Sequence, residues 1–237
     1  MTQKRSAHGG MTILVIDTET TGLFPRGCVT GADGRIDIRN STDWECCRMV
    51  QIAWQKHNDD GTLINKDCYI IKPDGYSIPK IAADIHGITT FKAIQTGIPI
   101  KKVFDKLADA LQDVTVLVAH NMKFDDAVVR SELYRYSSLD PTMETDSGKH
   151  KIIDILNTWT VLQKECTMMM ASANAPGKKW MKLIELYKQC FNREPTQVLH
   201  RADADVDVCA DVYFYMKMNE PAKVGQKRKS EAVRGGN

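Results

Sequence analysis

No apolar run in this 237-residue sequence approaches the roughly 20 residues needed to span a bilayer. The best candidate, Met11 to Ile16, stops at Asp17 and is too short for a signal-peptide core. Neither a membrane anchor nor export is expected, and an intracellular location is, whether cytoplasmic or nuclear. Paired cysteine spacings are also missing. The seven Cys are scattered with no C-x-x-C, which favours reduced thiols over a disulfide framework or a structural zinc. There is no internal repeat and little net charge: 32 basic against 30 acidic side chains leave +2, so the chain is no polycation. With 43% hydrophobic and 26% charged residues, the composition is that of a globular chain with a sizeable core.

The charge is unevenly placed. Lys223, Lys227, Arg228, Lys229 and Arg234 face a single Glu231 near the C-terminus, with almost no bulky apolar residue among them. Residues 221–237 therefore read as a disordered basic tail, either solubilising or a nucleic-acid or nuclear-import patch. Residues 1–10 are polar and end in Gly9-Gly10, a flexible extension. One domain over residues 11–220 accounts for the rest.

Within that body, Thr12–Asp17 reads as a buried strand. Phe24–Trp44, with Gly27, Gly31 and Gly34, reads as an unusually long loop. Met49–Gln55 and Leu63–Ile71 are strands around an Asp-Asp-Gly turn signal at residues 59–61. Helical spacing over Ile100–Leu111 precedes a strand at Val114–Ala119 and a helix at Asp126–Tyr134. Ser137–Lys149 is polar and loop-like, and Ile152–Leu156 fits either a short strand or a helix start. Trp180, Leu183, Ile184, Tyr187 and Phe191 form a helical stripe, and Asp203–Met218 is a last helix. This order predicts an α/β fold: a mixed sheet of three antiparallel strands, then parallel strands, flanked by helices.

Three acidic pieces stand out. Asp17 and Glu19 lie two apart at the end of the first strand, so both face the same way. Paired carboxylates repel unless a cation lies between them, and hard oxygen ligands suit Mg2+ or Mn2+. Thr18, Thr20, Thr21 and Gly22 surround them, offering hydroxyls and close backbone approach to a phosphate. The second piece, His120-Asn121-x-x-Phe124-Asp125, follows another strand, where ligands collect in α/β sheets. The third is His200-x-x-x-x-Asp205, entering the last helix beside Asp203 and Asp207. Taken singly, each piece also reads as a helix cap, a loop-ordering group or a solvated face.

Taken in order, Asp17-x-Glu19, His120-Asn121-x-x-Phe124-Asp125 and His200-x-x-x-x-Asp205 resemble the three Exo motifs of the DEDDh, or DnaQ-like, 3′–5′ exonucleases. Ile85-His86-Gly87-Ile88-Thr89 resembles a segment often seen between the first two motifs. The resemblance spans about Met11 to Met218 and implies a ribonuclease H-like fold. It implies that Asp17, Glu19, Asp125 and Asp205 hold two Mg2+ or Mn2+ ions and that His200 is the general base. The related Tyr branch would place its Tyr where Arg201 stands. Leu23 resembles a wedge beside the 3′-terminal base, and Ile85 would flank that base. Thr18, Thr20, Thr21, Gly22, His120 and Asn121 complete the implied substrate-binding set, with Asp154 structural or supporting the site.

Two divalent ions about 3.5–4 Å apart can clamp the attacking and leaving oxygens of a phosphodiester, and an imidazole can take the water's proton. The implied activity removes nucleoside 5′-monophosphates from the 3′ ends of nucleic acid, DNA or RNA. A separate polymerase is an implied partner. The alternatives are a catalytically silent nucleic-acid-binding module of the same fold and an RNA-trimming exoribonuclease.

Overall fold

The computed structural model describes residues 10–25, 45–138, 147–173, 180–197 and 199–219. The first strand, β1 (Thr12–Thr20), is buried on both faces, and its alternation sorts the molecule into two cores. Leu14 and Ile16 join one core with Phe104, Leu107, Val128 and Trp159, while Ile13 and Val15 join another with Leu186, Val206 and Tyr213. Burial of each such side chain contributes roughly 1.5–3 kcal/mol. Shifting β1 by one residue would exchange the two sets, so its register is strongly specified.

Beside β1 lie β2 (Met49–Asn58) and β3 (Leu63–Ile70), then β4 (Val116–Ala119) and β5 (Gln163–Cys166), in the order β3-β2-β1-β4-β5. β1, β2 and β3 pair antiparallel, whereas β4 pairs parallel to both β1 and β5. This is the expected mixed sheet, and eight helices flank it among the described residues. Short α1 (Lys80–His86) and α2 (Thr90–Thr96) cover Val50 of β2 through Ala82 and Ala93. Then come α3 (Ile100–Ala110), α4 (Met122–Ser138), α5 (Ser147–Val161), α6 (Thr167–Ala173), α7 (Leu183–Phe191) and α8 (Ala202–Met218). Helices α3, α4 and α5 pack on one face of the sheet, and α7 and α8 on the other. No described helix is long and apolar enough to cross a membrane.

Several boundaries differ from the sequence reading. Helix α4 begins at Met122 rather than Asp126, so Asp125 sits in its first turn. The cause is Asn121, whose left-handed φ of 72° turns the chain and whose carbonyl accepts the Phe124 N–H at 2.8 Å. Ile152–Leu156 belongs to a helix, because Ile152, Ile155 and Trp159 all reach the core from one side. Ser137 and Ser138 still belong to α4, and residues 147–149 already belong to α5. Trp180 is exposed and precedes α7, so the helical stripe starts only at Leu183. α1, α2, β5 and α6 were not anticipated. Most of the long loop, residues 26–44, lies outside the described residues, as do residues 1–9 and 220–237.

Candidate active site

Asp17 and Glu19 continue the β1 face that carries Ile13 and Val15, so both point toward α8. The first turn of α8 brings Asp205 to meet them. One oxygen from each of Asp17, Glu19 and Asp205 lies within 4.8 Å of the other two. Burial, then the fields of Asp125, Asp205 and Glu19, hold the Asp17 carboxyl well above its usual range. Burial and the field of Asp205 push Glu19 up to about 8. Asp205 is raised by burial as well, against the lowering effect of the N–H groups it accepts from. Negative groups held this close suit a hard divalent cation, and the all-oxygen donor set agrees.

Asp125 stands beside this trio rather than in it. Its Oδ1 accepts from the Thr18 N–H at 3.0 Å and the Thr18 hydroxyl at 2.8 Å. Burial raises its pKa to about 7 and the two Thr18 bonds pull it down. The adjacent Asp126 is spent elsewhere, accepting from Trp159 Nε1 at 3.0 Å and pairing with Arg130 at 2.9 Å.

His200 is exposed just ahead of α8, with a left-handed φ of 68°. Its N–H and that of Arg201 both donate to Asp205 Oδ2, at 2.8 and 3.0 Å. Of the three Asp entering α8, only Asp205 joins the cluster. Asp203 pairs with Arg201 at 2.8 Å, and Asp207 with Lys66 at 2.5 Å.

The threonines at and just after the end of β1 spend their hydroxyls within the fold. Thr20 donates to the Gly22 carbonyl at 2.7 Å, while Thr21 donates to the Cys46 carbonyl at 3.0 Å and accepts the Arg48 N–H at 2.9 Å. The space at Gly22 is needed by the protein itself, since a Cβ there would sit 2.9 Å from the Cys46 carbonyl oxygen. Leu23 is different: it is 78% exposed. Ile85 is 57% exposed, and its neighbour His86 lies against the Thr20 backbone.

His120 turns inward. Its Nε2 faces the Met181 carbonyl at 3.0 Å and therefore carries the proton, leaving Nδ1 to accept from the Thr167 hydroxyl at 2.9 Å. Burial lowers its pKa, consistent with a neutral ring that ties β4 to α6 and α7. Asn121 is exposed and supplies the turn into α4. Asp154 is exposed in a groove between α3 and α5, away from the acidic trio.

One residue the motifs did not reveal is Gln51, directly across from Glu19 in the β1–β2 register. Its signal in the sequence is a polar side chain at an inward strand position. Phe24 was read only as the start of a loop, yet its ring packs on Phe124 at 5.1 Å, next to Asp125.

Comparison with known proteins bears on the family and the fold. A DNA polymerase III subunit epsilon-like protein of Rhodobacter capsulatus is 34% identical over 140 residues, 57% of this chain and 17% of that protein. The Escherichia coli ExoI–ssDNA complex in its zinc-bound form superposes with a TM-score of 0.61 at 20% identity, covering 89% of this chain and 41% of the other. Exonuclease I of Methylocaldum szegediense gives 0.61 at 19%, covering 90% and 41%. The chain thus spans less than half the length of these relatives, and the likeness to the two solved structures is one of fold. The family model of the RNase_T exonucleases matches residues 14–213, from near the start of β1 into the second half of α8 and so across all three acidic pieces. With most of its length matched in this way, the chain belongs to the RNase_T exonuclease family.

Proposed function

We infer that this chain is a metal-dependent 3′–5′ exonuclease acting on single-stranded DNA. The observation that carries the reading is the convergence of Asp17, Glu19 and Asp205, with His200 joined to Asp205. Mg2+ or Mn2+ ions bound here would offset the negative charge that builds on the scissile phosphate. Asp17, Glu19 and Asp205 are the residues to hold them, with Asp125 kept alongside by Thr18.

The chain's own chemistry centres on His200, whose ring takes the proton from the attacking water. The water oxygen bonds to phosphorus, the bond from phosphorus to the preceding O3′ breaks, and that oxygen takes up a proton. The products are a nucleoside 5′-monophosphate and a strand one residue shorter with a free 3′-hydroxyl. Exposed Leu23 and Ile85 pack against the terminal base and hold the last phosphodiester over the carboxylates. Support for DNA comes from the exonuclease I structures of this fold that were solved with dA16 and dT13 oligonucleotides. Support for a polymerase partner comes from the epsilon-like relative.

The test uses matched 3′- and 5′-labelled single-stranded DNA, duplex DNA and RNA with Mg2+, Mn2+ or EDTA. Divalent-dependent loss of mononucleotides from the 3′ end of single-stranded DNA is expected. Internal cleavage, or no shortening of any strand, would overturn the reading, and preferential shortening of RNA would favour the exoribonuclease alternative.

A further inference from the structure

The β2 face beneath α8 is unusual for a buried strand. Ala53 is apolar there, but Gln51, Gln55 and His57 flank it, each only 5% exposed. All three engage α8 or one another. Gln51 Oε1 accepts the Ala202 N–H at 3.0 Å, and Gln55 donates to the Asp207 carboxylate. His57 meets Gln55 Oε1 at 2.9 Å and packs on Phe214 with ring centroids 4.9 Å apart.

We propose that Gln51 is a positioning residue: it fixes the start of α8 against β2 so that Asp205 meets Asp17 and Glu19 with cation-binding spacing. This rests on the metal-dependent reading above. Three observations combine. Gln51 sits across from Glu19, so its side chain shares the face on which Glu19 projects. Its acceptor reaches Ala202, the first residue of α8, whose N-cap Arg201 supplies no side-chain cap. Asp205 follows three residues later, about 4.5 Å along the helix axis.

Apolar packing is non-directional and by itself sets a helix's axial position less sharply than a hydrogen bond does. A hydrogen bond from a strand to the helix's first N–H is directional and fixes both axial position and rotation. Helix α8 therefore has its first N–H satisfied from β2, which leaves the Asp205 carboxylate for the cluster and the loop. The other end of the Gln51 amide is held by Cys68 Sγ at 3.2 Å, so the side chain is restrained from both sides.

The experiment titrates Mn2+ onto the full chain without nucleic acid, following free Mn2+ by electron paramagnetic resonance. Gln51→Met keeps length and volume but loses the acceptor. It should fold, and its Mn2+ affinity should fall by about 10–100-fold, the scale for partners that orient metal ligands. Gln55→Leu removes a neighbouring contact to α8 without touching the Ala202 bond and should bind Mn2+ like wild type. Wild-type affinity in Gln51→Met, or an equal loss in both variants, would overturn the proposal. Amide exchange in the wild type gives a second reading that needs no variant to fold. The Ala202 N–H should be protected, and exchange at the rate of a free helix-terminal amide would also overturn it. Because the titration contains no substrate, a wild-type protein that binds Mn2+ but cleaves no strand would sink the nuclease reading alone.

Discussion

The backbone N–H of His200 lies 2.8 Å from Asp205 Oδ2, so the main chain joins two side chains that the proposed reaction needs next to each other. The bond also helps hold His200 in a left-handed conformation, which costs a residue with a Cβ roughly 1–2 kcal/mol. One carboxylate oxygen thereby orders the loop. A displaced Asp205 would disturb both a proposed cation ligand and the histidine beside it.

This makes His200→Gly a sharper variant than His200→Ala. Glycine removes the ring and relieves the left-handed strain, so the loop and the Asp205 contact should survive. Turnover on a 3′-labelled strand should drop on the order of 10²–10⁴-fold, the range for a lost general base. Thermal stability and Mn2+ binding should hold or improve. Wild-type turnover in the glycine variant would remove His200 from the reaction.

Asp205→Asn and Asp205→Ala should part company in structure while agreeing in activity. Asn keeps an oxygen to accept from His200 and Arg201, whereas Ala keeps neither the charge nor that acceptor. Both should lose at least ~10²-fold in turnover, the scale for losing one preorganised electrostatic stabiliser. Only Ala should also loosen the 199–201 loop, read as faster amide exchange at His200 and Arg201. Near-normal turnover in either variant would count against the cation site.

How much of this could be read from the chain follows from where the signals lie. Asp17 and Glu19 were legible because an apolar run ends on them and strand alternation points both one way. Asp125 was recognised, but its bonding to Thr18 was not, since that contact joins residues 107 apart in sequence. β5 reads Gln-Lys-Glu-Cys, with no apolar run to announce a strand; pairing with β4 creates it. α1 and α2 span seven residues each, too few for a helical period to emerge. The Gln51, Gln55 and His57 face alternates correctly for a strand, yet with polar groups where alternation predicts apolar ones, and only α8 packing explains it.

The corner behind the Thr21 turn rests on a buried ion pair, and its removal should be costly. Glu132 Oε1 accepts from Arg48 Nε at 2.9 Å and from the Met49 N–H at 3.0 Å, while its Oε2 meets Arg135 at 2.8 Å. Glu132→Ala would leave the buried Arg48 guanidinium with its longer, 3.5 Å pairing to exposed Glu45 in place of its buried partner, a loss of about 3–5 kcal/mol in chemical denaturation. A loss below about 1 kcal/mol, typical of an exposed pair, would contradict this account of the corner.

Asp17, Glu19 and the adjacent Asp125 should also make the metal-free protein less stable as pH rises. Carboxyls titrate near ~4 in the unfolded chain. Folded Glu19 titrates at about 8 and Asp125 at about 7, and Asp17 is raised as well. Between these ranges the folded state holds protons that the unfolded state has released, so stability falls with rising pH. Buried His57 and His86 and part-buried His120 act in the opposite sense, because desolvation lowers their pKa in the folded state. Their contribution is complete once pH passes about 6.5, the ordinary imidazole value. Between about pH 7 and 8, above the histidines and below ordinary thiols near ~8.5, the carboxylates decide the slope. In EDTA the melting temperature should therefore drop across that interval. Saturating Mn2+ should remove most of the drop and stabilise more at the upper pH, because protons compete for the same oxygens. A melting temperature in EDTA that is flat or rising across the interval would mean these carboxylates are not held charge against charge.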